Sequence, residues 1–368
     1  MNPFKYGCIV AGEYFCPRPK LERELKRFVE SGQSVVIQGE RRMGKTSLVC
    51  ETVSAIRGVK LLYIDLLGVK SISDFCRKVT QAIVKLDRSR GFLDRTAELL
   101  RRLRPTLSFD TVTGAPTLSL DVAASAKTES FDDVLDMLAT HAAKLHLCVV
   151  FDEFQDMLKI DNADSLLATM RGKIQFQSDT AYLFLGSIRN EMSRIFTDSR
   201  SPFYKSAAFF DIDRIDDDEF AAFLIKRFKK GKRRINRAVV DEIFKTADRV
   251  SGDVQELCDA LWATTEENAG IGMEDISSAL ELIYMRESKA YTPILNALTD
   301  IQLRVLRGLA ERGGERPLSG DFMAHVGVRN AGSVRKALLR MVDLDVLYLK
   351  DGDYRFGNPF FKAWLREH

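Results

Sequence analysis

Three dense apolar runs punctuate the first half of the chain: Val35-Val36-Ile37, Leu147–Phe151 and Tyr182–Leu185. A fourth, Val59–Leu66, is apolar at most positions. Short runs bounded by polar turns predict strands buried on both faces of a parallel sheet. Helical spacing fills the intervals, with Leu21, Leu25 and Phe28 in Lys20–Glu30, then Ile72–Leu86, Phe92–Leu103 and Phe131–Leu145. One stretch breaks the rhythm. Between Leu107 and Val122 apolar residues alternate around Gly114-Ala115-Pro116, which predicts a β-hairpin insertion, either a contact surface or a decoration packed on its own domain.

Beyond Tyr204 the pattern changes. Asp211–Glu219 carries six acids, and Lys226–Arg237 carries eight bases and no acid. Phe220, Phe223, Leu224 and Phe228 hold a helical apolar face through this region, and helices are expected at Val239–Val250, Asp253–Asn268 and Met273–Lys289. These make an all-helical lid. The basic run reads as a solvated helix face, a phosphate-binding surface or a partner for the acidic block. Three further helices, Asp300–Arg312, Ser319–His325 and Ala331–Leu344, precede a hairpin at Asp345–Phe356 with an Asp351-Gly352 turn. Three helices and a hairpin predict a winged helix.

The chemistry sits where strand gives way to helix. Gly39-Glu40-Arg41-Arg42-Met43-Gly44-Lys45-Thr46 follows the first strand and opens a helix through Ser47 and Leu48, the P-loop spacing in its proper context. Glycines let backbone N–H groups surround phosphate oxygens, and the helix N-terminus adds positive potential. Lys45 is placed to reach the β- and γ-phosphates of ATP, and Thr46 to offer a hydroxyl to Mg²⁺. The third strand ends in Asp152-Glu153. A carboxylate at that strand end suits Mg²⁺, so Asp152 joins Thr46 as metal ligand, and Glu153 is the candidate base that polarises the attacking water. The fold class that follows is α/β: a P-loop NTPase αβα sandwich with a parallel sheet, then the helical lid and the C-terminal winged helix. Domain boundaries are expected at 1–210 (with the hairpin near 105–122), 211–292 and 293–368.

Composition narrows the setting. The chain has 368 residues, 45% apolar and 29% charged, with a net charge of +3, too small to imply a nucleic-acid partner by itself. No apolar run approaches a membrane span, and Met1–Lys5 has no signal-peptide core, so a cytoplasmic protein is expected. The six cysteines include no Cys-x2-Cys pair and the four histidines are scattered, which argues for reduced thiols rather than zinc. In the winged helix, Arg329 precedes Arg335, Lys336 and Arg340 on the third helix, the one that enters the major groove when such domains bind duplex DNA. Leu338, Leu339 and Val342 are expected to form the buried face of that helix. Twelve bases against nine acids from Thr299 onward is a modest excess, so protein docking stays open beside DNA.

Together these residues resemble the AAA+-type family known as archaeal ATPases, with bacterial relatives, near the STAND branch of P-loop NTPases. The resemblance is carried by Phe15-x-x-Arg18, the P-loop run, Phe151-Asp152-Glu153-Phe154-Gln155, Leu185-Gly186-Ser187, Ser201-Pro202-Phe203-Tyr204, Gln255–Trp262 and Tyr354–Trp364. It implies ATP binding and hydrolysis, with Ser187 as the γ-phosphate sensor, Arg189 and Asn190 as alternatives, and a strand simply capped by serine as the competing reading. It also implies a helix before the first strand beside the adenine, so Arg18 touches nucleotide or is solvated at the surface. Lids of this type often carry Gly-x-Arg, but here Gly252-Asp253-Val254-Gln255 lacks the arginine, with Arg249 a weak substitute. Arg200 is a candidate arginine finger; otherwise a partner protein or a neighbour in a nucleotide-dependent oligomer supplies one.

Overall fold

The computed structural model of this chain describes residues 2–86, 105–109, 116–120, 127–187, 189–350 and 352–368. The helix expected at Phe92–Leu103 and the turn residue Asp351 lie outside them. Two compact units result: Ile9–Asp213, and Met1–Cys8 together with Arg214–His368.

In the first unit, α1 (Pro19–Glu30), β1 (Val35–Gln38), α2 (Lys45–Ser54), β2 (Lys60–Asp65) and α3 (Ile72–Leu86) come in succession. The hairpin follows as β3 (Pro105–Phe109) and β4 (Pro116–Leu120), paired antiparallel. Then come α4 (Lys127–Leu145), β5 (Leu147–Asp152), a 3₁₀ turn Phe154–Lys159, α5 (Ala163–Ile174), β6 (Tyr182–Gly186), α6 (Arg189–Phe196) and β7 (Ala208–Asp211). Five strands form one parallel sheet in the order β2-β5-β6-β1-β7. Strand parity sorts the two cores. Val35, Ile37, Cys148, Val150, Leu183 and Leu185 face α1 and α2. Val36, Val149, Phe151, Tyr182 and Phe184 face α3, α4 and α5. Both faces are covered, which is why these strands read as unbroken apolar runs.

Pattern reading misses β7. It is a four-residue edge strand with only Phe210 buried, and it runs directly into the acidic stretch, so it carries no apolar run.

The second unit contains α7 (Asp217–Lys230), β8 (Arg234–Ile235), α8 (Arg237–Thr246), α9 (Ser251–Thr264), β9 (Gly270–Ile271) and α10 (Glu274–Asn296). The lid is therefore not all-helical. Two connectors zip together through β8 and β9, flanked by Asn268 N–H to Lys232 O at 2.7 Å and Arg234 N–H to Ala269 O at 3.0 Å. Two-residue strands are too short to leave a period. Helix α7 starts at the N-cap Asp216, whose carboxylate accepts from the N–H groups of Asp218 and Glu219. Three acids in its first turn and three bases in its last complement the helix dipole, one physical reason for the abrupt change of charge.

The first eight residues belong to this unit, not to the nucleotide-binding core expected over 1–210. Phe4 is buried with its ring 4.5 Å from Phe228, Pro3 O accepts from the buried guanidinium of Arg227, and Asn2 bonds Asp259. Helix α10 runs unbroken through the boundary expected at 292/293. After it come α11 (Asp300–Arg312), α12 (Gly320–His325), α13 (Ala331–Asp343), β10 (Leu347–Lys350), β11 (Asp353–Phe356) and α14 (Pro359–Glu367). Val305, Leu306, Phe322, Val334, Leu338, Leu347 and Phe356 share one core. Leu339, expected in it, is 55% exposed. Helix α14, absent from the pattern reading, returns to α10: Phe361 packs on Tyr291 at 4.7 Å and Asn358 donates to Glu287 at 2.9 Å.

Candidate functional site

The loop Gly39–Gly44 leaves β1 at its carboxyl end and turns into α2. Gly39 is buried, and a Cβ there would lie 3.0 Å from Ile212 O and 3.6 Å from the Lys45 stem, so the loop is drawn tight against the chain leaving β7. Arg42 and Gly44 are left-handed, at φ 64° and 81°, and between them Met43 turns its side chain into the interior while Glu40, Arg41 and Arg42 stay outside or at the rim. Ser47, one turn into α2, is buried and accepts from Val10 N–H at 3.1 Å.

Lys45 is buried, and its ammonium donates to Gly39 O and Glu40 O, each at 2.9 Å. Burial pulls its pKa below the ordinary lysine value, while the nearby charges of Glu153 and Asp152 act in the opposite sense. Thr46 donates to Asp152 Oδ2 at 2.6 Å, joining the P-loop helix to the end of β5. Glu153 follows in the left-handed region at φ 51°, its N–H turned back to Asp152 Oδ1 at 2.9 Å. From the end of β6, Ser187 donates to Glu153 Oε2 at 2.8 Å, and the Gln155 amide donates to the same oxygen. Thr46, Asp152, Glu153 and Ser187 thus form one hydrogen-bonded chain across three elements, beside the Lys45 ammonium.

Two members of this constellation were not legible beforehand. Tyr63 on β2 donates its hydroxyl to Asp152 Oδ2 at 2.8 Å. Burial first, then the Asp152 charge, raises its pKa far above the ordinary phenol range, so it remains a donor. Its only sequence signal is a polar tip in an apolar strand, two residues before an Asp on the same face. The second is Gln155, 2% exposed, whose Oε1 has no partner among the described residues and lies against Gly186.

Arg18 departs from its surface reading. It is 6% exposed and spans two backbone carbonyls, Met43 O at 2.6 Å and Asp213 O at 3.1 Å. Arg200 lies on the surface, ion-paired with Asp198 at 2.8 Å. Arg249 is paired within its own unit to Asp217 at 3.1 Å. The residues standing as alternatives to Ser187, Arg189 and Asn190, open α6. A hollow of about 290 Å³ lined by Ser34, Arg171, Gln177, Phe184 and Ser206 lies towards the amino ends of the strands, and no candidate residue lines it.

The basic run of the lid is divided: Lys226, Lys229, Lys230, Lys232, Arg234 and Arg237 are exposed. Arg227 and Arg233 are buried, the latter stacked 4.5 Å from the Trp262 ring and donating to Thr265 O at 2.8 Å. Lys232 pairs with Glu267, and Arg237 joins the acidic block through Asp218. Most of the run is thus a solvated face, with two of its bases turned inward. Arg335, Lys336 and Arg340 are likewise exposed on α13, around the exposed Leu339.

Comparison with solved structures agrees with this architecture. A Walker-type ATPase of Pyrococcus abyssi superposes over 99% of this chain and 99% of its own, with a TM-score of 0.65 at 16% identity. The fold is that of a Walker-type ATPase. The Aeropyrum pernix ORC2 protein, solved as ADPNP–ADP complexes, matches over 96% of this chain and 93% of its own (TM-score 0.55, 16% identity). The Aeropyrum pernix ORC1 protein in complex with DNA matches over 97% and 94% (TM-score 0.54, 12% identity). Residues 289–367 match the family model described as a probable winged helix domain. No curated protein matches at the sequence level.

The side chains fit magnesium and a nucleoside triphosphate. Oxygen donors suit a hard cation, Thr46 and Asp152 are already adjacent, and the loop before them needs glycine at Gly39 and left-handed backbone at Gly44. Among the described residues no group of three or more His, Cys, Asp or Glu could hold a metal by itself. No helix among the described residues is long and apolar enough to cross a membrane.

Proposed function

We propose that this protein binds Mg·ATP at the P-loop, hydrolyses it, and works as a molecular switch. The observation that carries the reading is the hydrogen-bonded chain Thr46–Asp152–Glu153–Ser187 beside the buried Lys45. In it, Gly39–Ser47 hold the phosphates, Thr46 and Asp152 hold the magnesium, and the ion supplies charge neutralisation on the phosphate oxygens when bound. Lys45 adds the fixed positive charge of the loop itself. Glu153 accepts the proton of the attacking water, and Ser187 orients both that carboxylate and the γ-phosphate. Residues 9–213 form the catalytic part. The second unit, residues 1–8 and 214–368, which holds the lid and the winged helix, carries the response.

The winged helix is the output module, and duplex DNA is its partner through Arg335, Lys336 and Arg340. Their exposure on α13 supports this, as does the likeness to an ORC1 protein solved with DNA. A second reading, a nucleotide-gated DNA-binding or scaffold protein with negligible turnover, is favoured by one observation. Glu153 Oε2 already accepts from both Ser187 and Gln155, which leaves Oε1 alone to take a proton.

Single-turnover ATP hydrolysis with and without duplex DNA, in wild type and Glu153→Gln, separates the two. The switch reading expects turnover that falls about a hundredfold or more in the variant, with nucleotide affinity retained. Equal rates in both proteins would remove Glu153 from catalysis and leave the gating reading.

A further inference from the structure

Asp152 has an uneven set of donors. Among the described residues, Oδ2 receives Thr46 Oγ1 at 2.6 Å and Tyr63 OH at 2.8 Å, whereas Oδ1 receives only the Glu153 N–H at 2.9 Å. Each oxygen of a carboxylate offers about two acceptor sites. Oδ2 is therefore saturated, and one site on Oδ1 is left.

Tyr63 reaches this position through the sheet register. On β2 it is paired with Val150, two residues before Asp152 on the same face, so its ring runs forward along that face and brings the hydroxyl to the strand end. Thr46 cannot fix Asp152 alone, because its hydroxyl is also the group offered to the metal. Tyr63 is the Oδ2 donor that is not itself a metal ligand. Asp65, in register with Asp152 at the end of β2, uses Oδ1 on Leu67 N–H at 2.9 Å and gives Asp152 no donor.

Resting on the Mg·ATP reading above, we propose that Tyr63 is the positioning residue of the metal site. By filling the second acceptor site of Oδ2 it locks the Asp152 carboxylate and selects Oδ1 as the oxygen presented to magnesium or its water. Tyr63 touches neither nucleotide nor metal, and its effect is confined to metal-dependent binding.

The test is ADP affinity titrated against Mg²⁺, with Mn²⁺ binding followed by electron paramagnetic resonance, in wild type, Tyr63→Phe and Asp152→Asn. Tyr63→Phe removes one oxygen and keeps the ring. The expected result is a 10- to 100-fold rise in the Mg²⁺ and Mn²⁺ concentration at half-saturation, the usual range for groups that orient a metal ligand. ADP affinity in EDTA should stay at the wild-type value. An unchanged metal requirement overturns the role of Tyr63. So does a loss of metal-free affinity as large as the loss with metal, which would make Tyr63 a structural residue of the loop. If wild type itself shows no metal-dependent nucleotide binding, the Mg·ATP reading falls and this inference with it.

Discussion

Arg18 offers the sharpest check on how the P-loop is held. Its guanidinium is buried and spends two donors on backbone carbonyls, Met43 O in the P-loop and Asp213 O at the end of the first unit. Replacing it with methionine keeps most of the stem volume and removes the fork. Two hydrogen bonds from a charged donor are worth about 1.5–3 kcal/mol each, and the variant leaves both carbonyls short of a donor. Part of that loss is offset, because a charge no longer has to be kept out of water. A net destabilisation of about 2–4 kcal/mol follows. For a unit of this size about 2–4 °C is lost per kcal/mol, so the first unit should melt about 5–15 °C lower by differential scanning calorimetry. ADP affinity should fall as well, since the Met43 carbonyl fixes the curl of the loop. Arg18→Lys should recover little, because one ammonium cannot span two carbonyls as the fork does. A variant that melts within about 1 °C of wild type and binds ADP equally would refute the argument, and Arg18 would be a buried but idle cation.

Lys45→Ala should abolish measurable Mg·ATP binding by isothermal calorimetry, because Lys45 is the cation the P-loop itself fixes; wild-type affinity in that variant would overturn the phosphate assignment. Reversing Arg335 and Lys336 to glutamate should weaken duplex DNA binding without lowering the melting temperature, both being exposed. With Arg335, Lys336 and Arg340 as the phosphate contacts of α13, log affinity should fall against log salt with a slope of about −3. Salt-independent affinity, or no binding at low salt in either nucleotide state, would give α13 to protein docking instead.

Local rules settled much of this protein from its sequence. Gly39-x4-Gly44-Lys45-Thr46 needs no distant partner to be recognised, because its glycines, its lysine and the helix that follows serve one purpose within a few residues. The same holds for the apolar runs of β1, β5 and β6, which both faces of a sheet must cover, and for the winged helix, whose short elements follow one another with clear caps. Tertiary structure decided what depends on register and on meeting residues far along the chain. Tyr63 touches Asp152 only because β2 and β5 pair as they do, and Arg18 is buried only because Met43 and Asp213 converge on it. The lid's basic run is uniform in sequence, yet Trp262 and Pro3 hold two of its bases inside, and Glu267 and Asp218 pair two of the exposed ones. Charge along a sequence says which residues can pair. Only the folded neighbours, by removing water from some and supplying acids to others, determine which remain available to a partner.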